Sequence, residues 1–96
     1  MKILLMEDDE ILRKMYQDKF STTDLELVTA SDGEEGLRKV KEQKPDFILL
    51  DLMMPKLSGI QVLKDLKTNP ETRHIPVAVL SVIPRDDSML DGSSEL

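Results

Sequence analysis

Four short, largely apolar segments alternate with amphipathic stretches along the chain, and this alternation constrains the fold most. The segments are residues 3–6, 25–28, 47–50 and 77–80. Continuous apolar runs of this length are typical of strands that are buried on both faces. The stretches between them space their apolar residues as one face of a helix does. The pattern predicts an α/β fold of the flavodoxin type, a doubly wound parallel sheet with right-handed crossovers and helices on both faces.

The first predicted helix spans Glu10 to Phe20, and Asp9 is its expected N-cap. Its apolar residues follow the spacing of a single buried stripe: Ile11, Leu12, Met15 and Phe20. We therefore expect this stripe to pack against the sheet.

Two further helices have clear start and stop signals. The second begins at residues 32–35, where acidic side chains stand at the positive end of the helix dipole, and it stops at Pro45. Leu37 and Val40 form its inner face. The third helix is expected to begin after Ser58, as its N-cap, and to end at residues 68–70. After residue 82 the pattern fades into a polar tail, residues 83–96, with only a weak helix around residues 86–90.

Composition limits the classes of function. A chain of 96 residues forms one domain, and its 13 Lys+Arg against 19 Asp+Glu give a net charge of −6, which disfavours binding to a nucleic acid backbone. The absence of cysteine excludes disulfides and thiolate metal sites. No apolar run approaches a membrane span, and the apolar start is too short for a signal peptide, so we expect a cytoplasmic protein.

Polar side chains follow three of the predicted strands. Glu7, Asp8 and Asp9 come after the first strand, Asp51 after the third and Ser81 after the fourth. Because the carboxyl ends of parallel strands form the functional edge of such sheets, these groups should converge on one patch.

Clustered carboxylates repel one another unless a cation is present, and an oxygen-only set of ligands favours Mg²⁺. An aspartate beside such an ion can attack phosphorus and form an acyl phosphate, with the Ser81 hydroxyl placed nearby. The alternative is that these acids are solvated loop residues and helix caps. That explanation fits Asp8 or Asp9 alone better than it fits three strand ends together.

Three motifs in order resemble the receiver domain of two-component response regulators. They are residues 3–10 (ILLMEDDE), 49–59 (LLDLMMPKLSG) and 76–81 (PVAVLS). The middle one, an apolar pair followed by D-x-x-M-P-x-x-x-G, is highly specific to that family. The resemblance extends over residues 2–82, most of the chain.

The resemblance implies that Asp51 accepts a phosphoryl group from a sensor histidine kinase or a phosphotransfer protein. It implies a Mg²⁺ ion held by Asp8, Asp51 and the backbone carbonyl of Met53, with Glu7 acting mostly through water. Ser81 matches the switch hydroxyl that turns toward the acyl phosphate. Such a domain signals to a downstream output protein or domain, and it catalyses only its own phosphorylation and dephosphorylation.

Pro55 and Gly59 match residues that shape the loop after the phosphorylated aspartate. The nearby pair at residues 53–54 is best explained as loop packing and cover for the site. His74, the single histidine, follows no catalytic pattern and is interpreted as a surface residue.

The sequence departs from the family in two ways. Val82 stands where the family usually has a small residue, which bears on the rates of phosphotransfer and dephosphorylation. No lysine follows Ser81, Arg85 lies too early to replace it, and a fifth strand and helix are not found. We therefore expect an incomplete receiver domain with an exposed apolar sheet edge, which an unseen segment or a second chain, as in a dimer, would cover.

Two other functions stay open. A receiver-like module that binds proteins without being phosphorylated would explain both departures. A hydrolase with an aspartyl nucleophile is less consistent with the sequence, because no second acid or cap domain that could direct water is evident.

Overall fold

Strands and helices alternate along the part of the chain that the structure, a computed structural model, describes: residues 1–54 and 57–80. The elements are β1 (Lys2–Met6), α1 (Glu10–Phe20), β2 (Glu26–Ala30), α2 (Gly33–Gln43), β3 (Phe47–Leu50), α3 (Gly59–Thr68) and β4 (Val77–Val79). The predicted alternation is confirmed.

The four strands form one parallel sheet in the order β2-β1-β3-β4. Helix α1 connects β1 to β2, which lies on one side of β1. Helices α2 and α3 lead to β3 and β4, in the opposite direction across the sheet. Right-handed crossovers therefore place α1 on one face of the sheet and α2 with α3 on the other. This is the doubly wound arrangement that the sequence predicts.

The main core lies between the sheet and the pair α2 and α3. Its members are aliphatic side chains from all of these elements and the adjoining loops: Leu4, Met6, Ala30, Val40, Ile48, Leu50, Met54, Val62, Leu66 and Ile75. Leu37 packs against them, half-buried, so the predicted inner face of α2 is confirmed.

The central strand β1 is buried on both faces, as its unbroken apolar run predicts. Ile3 and Leu5 are as well buried as Leu4 and Met6, which point to the opposite side. This strand is paired on both sides, with β2 and β3, and the acidic residues follow at its carboxyl end.

The buried stripe predicted for α1 is wrong. No residue of α1 is buried, and Ile11 is 73% exposed. An amphipathic pattern states what a helix is able to bury, but burial needs a neighbour against the stripe. Among the described residues, α1 is the only helix on its face of the sheet.

The second strand lies slightly later than the sequence suggested, at Glu26–Ala30 instead of residues 25–28. Pairing with β1 sets this register, since Lys2 lies opposite Glu26 and Met6 opposite Ala30. Leu25 is exposed and lies outside the strand. The pairing of β2 with β1, and not the apolar character of Leu25, decides where the strand begins.

Three side chains cap the helices, as predicted for Asp9 and Ser58. Asp9 accepts hydrogen bonds from the backbone N–H groups of Ile11 and Leu12, and Asp32 and Ser58 each accept one in the first turn of α2 and α3. At its other end α2 closes on Lys44, whose φ of 48° lies in the left-handed region.

Several predictions fall on residues outside the described ranges. They concern Pro55, Ser81, Val82, the polar tail of residues 83–96 and the weak helix within it. Within residues 1–54 and 57–80, no helix has the length and apolar character of a membrane span.

Candidate functional site

The acidic residues are fixed by backbone hydrogen bonds that continue the sheet beyond its strands. Glu7 follows β1 and donates its N–H to the carbonyl oxygen of Ala30 at 3.0 Å. Asp51 follows β3 and donates its N–H to the carbonyl oxygen of Met6, also at 3.0 Å. The two carboxylates therefore start from adjacent, well-defined points at the carboxyl edge of the sheet.

Glu7, Asp8 and Asp51 form one cluster. One carboxylate oxygen from each lies within 4.8 Å of the others. Glu7 is 4% exposed and Asp51 8%, while Asp8 is half-buried. The predicted convergence of the first and third strand ends is confirmed, and Asp8 belongs to the cluster instead of to a solvated loop.

The pKa of Glu7 reflects its burial beside two other carboxyl groups. Burial, the largest cause, and the adjacent carboxyls of Asp51 and Asp8 together raise the pKa of Glu7 from 4.5 to about 7. Only the backbone N–H of Asp9, 3.0 Å from Glu7 Oε2, acts in the opposite direction. Near neutral pH the cluster consequently retains a proton on Glu7 for part of the time.

Asp51 is held at both ends. The N–H of Met53 donates to its Oδ1 at 2.9 Å, which restricts the side-chain rotamer. Behind it the first turn of α3 approaches closely, since Gly59 donates its N–H to the carbonyl oxygen of Leu52 at 3.2 Å. A Cβ on Gly59 would overlap Leu52 Cα and lie 2.5 Å from the Asp51 carbonyl oxygen. Glycine is therefore required here by space, as the sequence predicts for a residue that shapes this loop.

Asp9 lies outside the cluster. It is exposed, and its Oδ1 accepts from the first turn of α1 at 2.8 and 3.2 Å. The capping function predicted for Asp9 is confirmed.

Sequence reasoning missed Arg13. Its guanidinium donates to the backbone carbonyl oxygens of Glu7 and Asp8, each at 2.9 Å. The available signal was its position four residues after the N-cap Asp9, on the helix face next to that cap.

Residues 53–54 and His74, also considered in the sequence analysis, do not contribute side chains to the cluster. Met54 is buried in the core, whereas the side chain of Met53 is exposed. Of the two, only Met54 contributes to packing. His74 is exposed and lines a cavity of about 610 Å³ together with Pro45, Asp46 and Pro76. Those residues precede β3 and β4, so this cavity lies at the opposite edge of the sheet from the carboxylates.

The residues present fit a divalent cation. Their donor set consists of carboxylate oxygens without histidine or cysteine, the set that hard ions such as Mg²⁺ or Mn²⁺ prefer. A cation would also stabilise the charged form of Glu7, whose pKa is raised by burial and, to a lesser extent, by Asp51 and Asp8.

Comparison with known sequences places the chain in one family. Residues 3–92 match the response regulator receiver domain. The chain is 46% identical over 66 residues to the alkaline phosphatase synthesis transcriptional regulatory protein PhoP of Bacillus subtilis, with 69% of this chain and 28% of PhoP covered. It is 35% identical over 79 residues to the polar-differentiation response regulator DivK of Brucella anthropi, with 82% of this chain and 64% of DivK covered. The chain therefore spans less than two thirds of these relatives.

Solved structures agree. The N-terminal domain of a response regulator receiver protein from Methanoculleus marisnigri superposes with a TM-score of 0.83 at 30% identity, covering 97% of this chain and 76% of that one. The Mn²⁺-bound form of response regulator Rcp1 gives 0.79 at 31% identity, covering 97% and 73%. Receiver domains bind Mg²⁺ or Mn²⁺ at an acidic pocket, which the cluster here matches in composition. With the fold, the acidic cluster and these similarities in agreement, the chain belongs to the response regulator receiver domains of two-component signal transduction.

Proposed function

We propose that this chain is a signalling phosphoacceptor in which Asp51 takes a phosphoryl group from a sensor histidine kinase or a phosphotransfer protein. The observation that carries the proposal is the cluster of Glu7, Asp8 and Asp51 within 4.8 Å, set at the carboxyl edge of a receiver fold. The phosphorylated domain then acts on a downstream output protein or domain.

In the proposed reaction a carboxylate oxygen of Asp51 forms a bond to phosphorus. The bond between phosphorus and the imidazole nitrogen of the donor histidine breaks, and the imidazole keeps the electron pair. The hydrogen bond from the Met53 N–H to Asp51 Oδ1 restricts the orientation of the nucleophile before the donor arrives.

The proposed cation is Mg²⁺, held by Asp8, Asp51 and the backbone carbonyl of Met53, with Glu7 acting through water. When bound, it supplies positive charge that offsets the phosphoryl oxygens and the carboxylates. The raised pKa of Glu7 supports this assignment, because it reports excess negative charge in a buried place.

We assign the switch hydroxyl to Ser81. Leu80 donates its N–H to the carbonyl oxygen of Leu50 at 2.8 Å, so the chain positions directly before Ser81 and Asp51 are paired neighbours. This pairing supports a place for Ser81 beside the acyl phosphate. Phosphorylation adds about 1.5 to 2 negative charges there, enough to bias a packed element between two states.

The test is intact-mass analysis after incubation with acetyl phosphate and Mg²⁺. We expect one added phosphoryl group on the wild type and none on Asp51→Asn. Asp9→Asn is a matched control, because it also removes one carboxylate next to the site, while asparagine still caps a helix. The proposal fails if the wild type gains no phosphoryl group or if Asp51→Asn gains one.

A second candidate function is a protein-binding module that is not phosphorylated. It is favoured by Val82, a β-branched residue where the family usually has a small one. A Mg²⁺ titration followed by backbone amide shifts distinguishes the two, since binding at Asp8 speaks against a purely structural cluster.

For oligomeric state we propose a dimer formed through β4. Within the described residues β4 pairs only with β3, and Val79 on it is 47% exposed. A strand whose outer edge has no partner among the described residues can offer its backbone groups to a second copy of the chain.

A further inference from the structure

Arg13 connects the first helix to the acidic loop. Its backbone N–H bonds to the carbonyl oxygen of Asp9 within α1, while its side chain turns back along the chain. There Nη1 donates to two consecutive carbonyl oxygens, those of Glu7 and Asp8, each at 2.9 Å. The side chain is half-buried, so water competes less for these bonds than it would at an exposed site.

These two carbonyls belong to the residues that supply two of the three clustered carboxylates. The loop between β1 and α1 consists of residues 7–9. It is fixed at one end by the bond from the Glu7 N–H to Ala30 and at the other by the Asp9 cap. The guanidinium fixes the middle of the loop, and with it the backbone from which both carboxylates extend.

The Arg13 guanidinium fixes the loop through backbone carbonyl oxygens and not through the carboxylates. In the described part of the chain the side-chain ion pairs are Lys14 with Asp18 and Lys39 with Glu35. The guanidinium bonds to carbonyl oxygens instead, which leaves the acidic oxygens of the cluster to other partners. Its charge and its hydrogen bonds thus act on a cation in opposite directions: the charge repels it, and the bonds hold its ligands in place.

We propose that Arg13 is a positioning residue that holds the β1–α1 loop in the conformation that binds the divalent cation. The identity of that cation rests on the function proposed above. The guanidinium contacts neither the cation nor the phosphoryl donor, and it acts through the backbone of Glu7 and Asp8.

Two substitutions separate the charge from the geometry. Arg13→Met retains an apolar stem and removes both the charge and the donors. Arg13→Lys retains the charge but replaces the planar donor fork with a flexible ammonium group. Lys14→Met is the matched control: it removes the same charge from the neighbouring position of α1, and its described partner is the exposed Asp18, 3.7 Å away.

The first measurement is amide hydrogen exchange of residues 8–12 in the metal-free protein. The second is the Mg²⁺ dissociation constant from backbone amide shifts. We expect both Arg13 variants to exchange faster in this segment and to bind Mg²⁺ about tenfold more weakly, the usual cost of losing a group that orients metal ligands. Lys14→Met should remain within about twofold of the wild type, because surface ion pairs contribute little.

Three results would overturn the proposal. One is unchanged exchange and Mg²⁺ affinity in Arg13→Met, and another is tighter Mg²⁺ binding, which would assign only charge repulsion to Arg13. The third is full rescue by Arg13→Lys, which would show that the planar guanidinium is not required. If Arg13→Met does not fold, Arg13→Lys decides. If the wild type binds no Mg²⁺, the proposed function fails, while the exchange data still test the positioning of the loop.

Discussion

Two glutamates of this chain show how differently the same side chain behaves in different surroundings. Glu7 is buried beside other acids, and its pKa rises to about 7. Glu35 accepts hydrogen bonds from the N–H and hydroxyl of Ser31 and pairs with Lys39, and its pKa falls to about 2. The surroundings of Glu7 favour binding of a proton or a cation, whereas the charge of Glu35 is already stabilised by Ser31 and Lys39. The raised pKa of Glu7, caused by burial beside other acids, therefore singles out the cluster as a place where added positive charge would stabilise the folded protein.

At this scale we predict that Glu7→Gln stabilises the metal-free protein at alkaline pH. The folded-state pKa of Glu7 exceeds its unfolded value of 4.5, so the protonated form stabilises the fold below pH 4.5. That contribution declines as the pH rises through about 7, where the folded state must also lose the proton. At pH 8 the variant should therefore gain on the order of 3 kcal/mol in the free energy of unfolding.

Urea unfolding of both proteins at pH 4 and pH 8, without divalent ions, checks this. The gain in unfolding free energy should be confined to pH 8. In a separate titration, the variant should bind Mg²⁺ more weakly than the wild type. Equal unfolding free energies of the two proteins at both pH values would contradict the prediction.

The sequence predicted the carboxylates of the site but not what orients them. Glu7, Asp8 and Asp51 follow apolar runs, and parallel strands end at one edge, so their convergence follows from the order of elements. Arg13 escapes such reasoning because its hydrogen bonds depend on how α1 is rotated about its own axis. The position of Ser81 stays a prediction.

At the scale of elements, helices and strands were predictable where local signals and packing agree. The caps at Asp32 and Ser58 and the inner face of α2 needed only the local sequence. The stripe of α1 and the register of β2 were not predictable, because both depend on which neighbour is present. Periodicity shows how a helix could pack, and the neighbouring elements determine whether it does.

For α3 we predict that Gly59→Ala impairs both stability and phosphorylation. Alanine is a better helix former than glycine by up to about 1 kcal/mol, but its Cβ would overlap the backbone of Leu52 and crowd the Asp51 carbonyl. We expect overpacking to prevail, with a net loss of about 1 to 2 kcal/mol and slower phosphorylation of Asp51.

The measurements are thermal unfolding and the rate of acetyl phosphate labelling. Lys64→Ala, an exposed change on the same helix, should alter both only slightly. A more stable Gly59→Ala protein that is labelled at the wild-type rate would show that the close approach has no functional role.

On the scale of the whole molecule, the two faces of the sheet are covered unequally in the described residues. The face under α2 and α3 carries the main core, whereas α1 covers the other face alone. At the side, β4 presents its outer edge with Val79 exposed. The outer edge of β4 is the surface through which we propose that two chains pair.

We predict that the wild type forms dimers in a concentration-dependent manner and that Val79→Lys shifts it toward the monomer. A lysine on an edge strand would place a charge where two strands must meet. Val79→Thr is the control, since threonine keeps the β-branched shape that favours a strand. Sedimentation velocity over a range of concentrations measures the shift. A wild type that is monomeric throughout, or a Val79→Lys dimer of equal affinity, would refute pairing through this edge.

The exposed stripe of α1 has a consequence for local unfolding. A helix with no buried side chain opens at a lower free energy than helices packed into a core. Its first turn is joined to the acidic loop by the Asp9 cap and by Arg13. A ligand that binds only the ordered loop stabilises it by RT ln(1 + [L]/Kd), and this linkage extends to the helix. We therefore expect α1 to fray first when the cation is withdrawn, so that the exchange rates of its amides report how much of the site is filled.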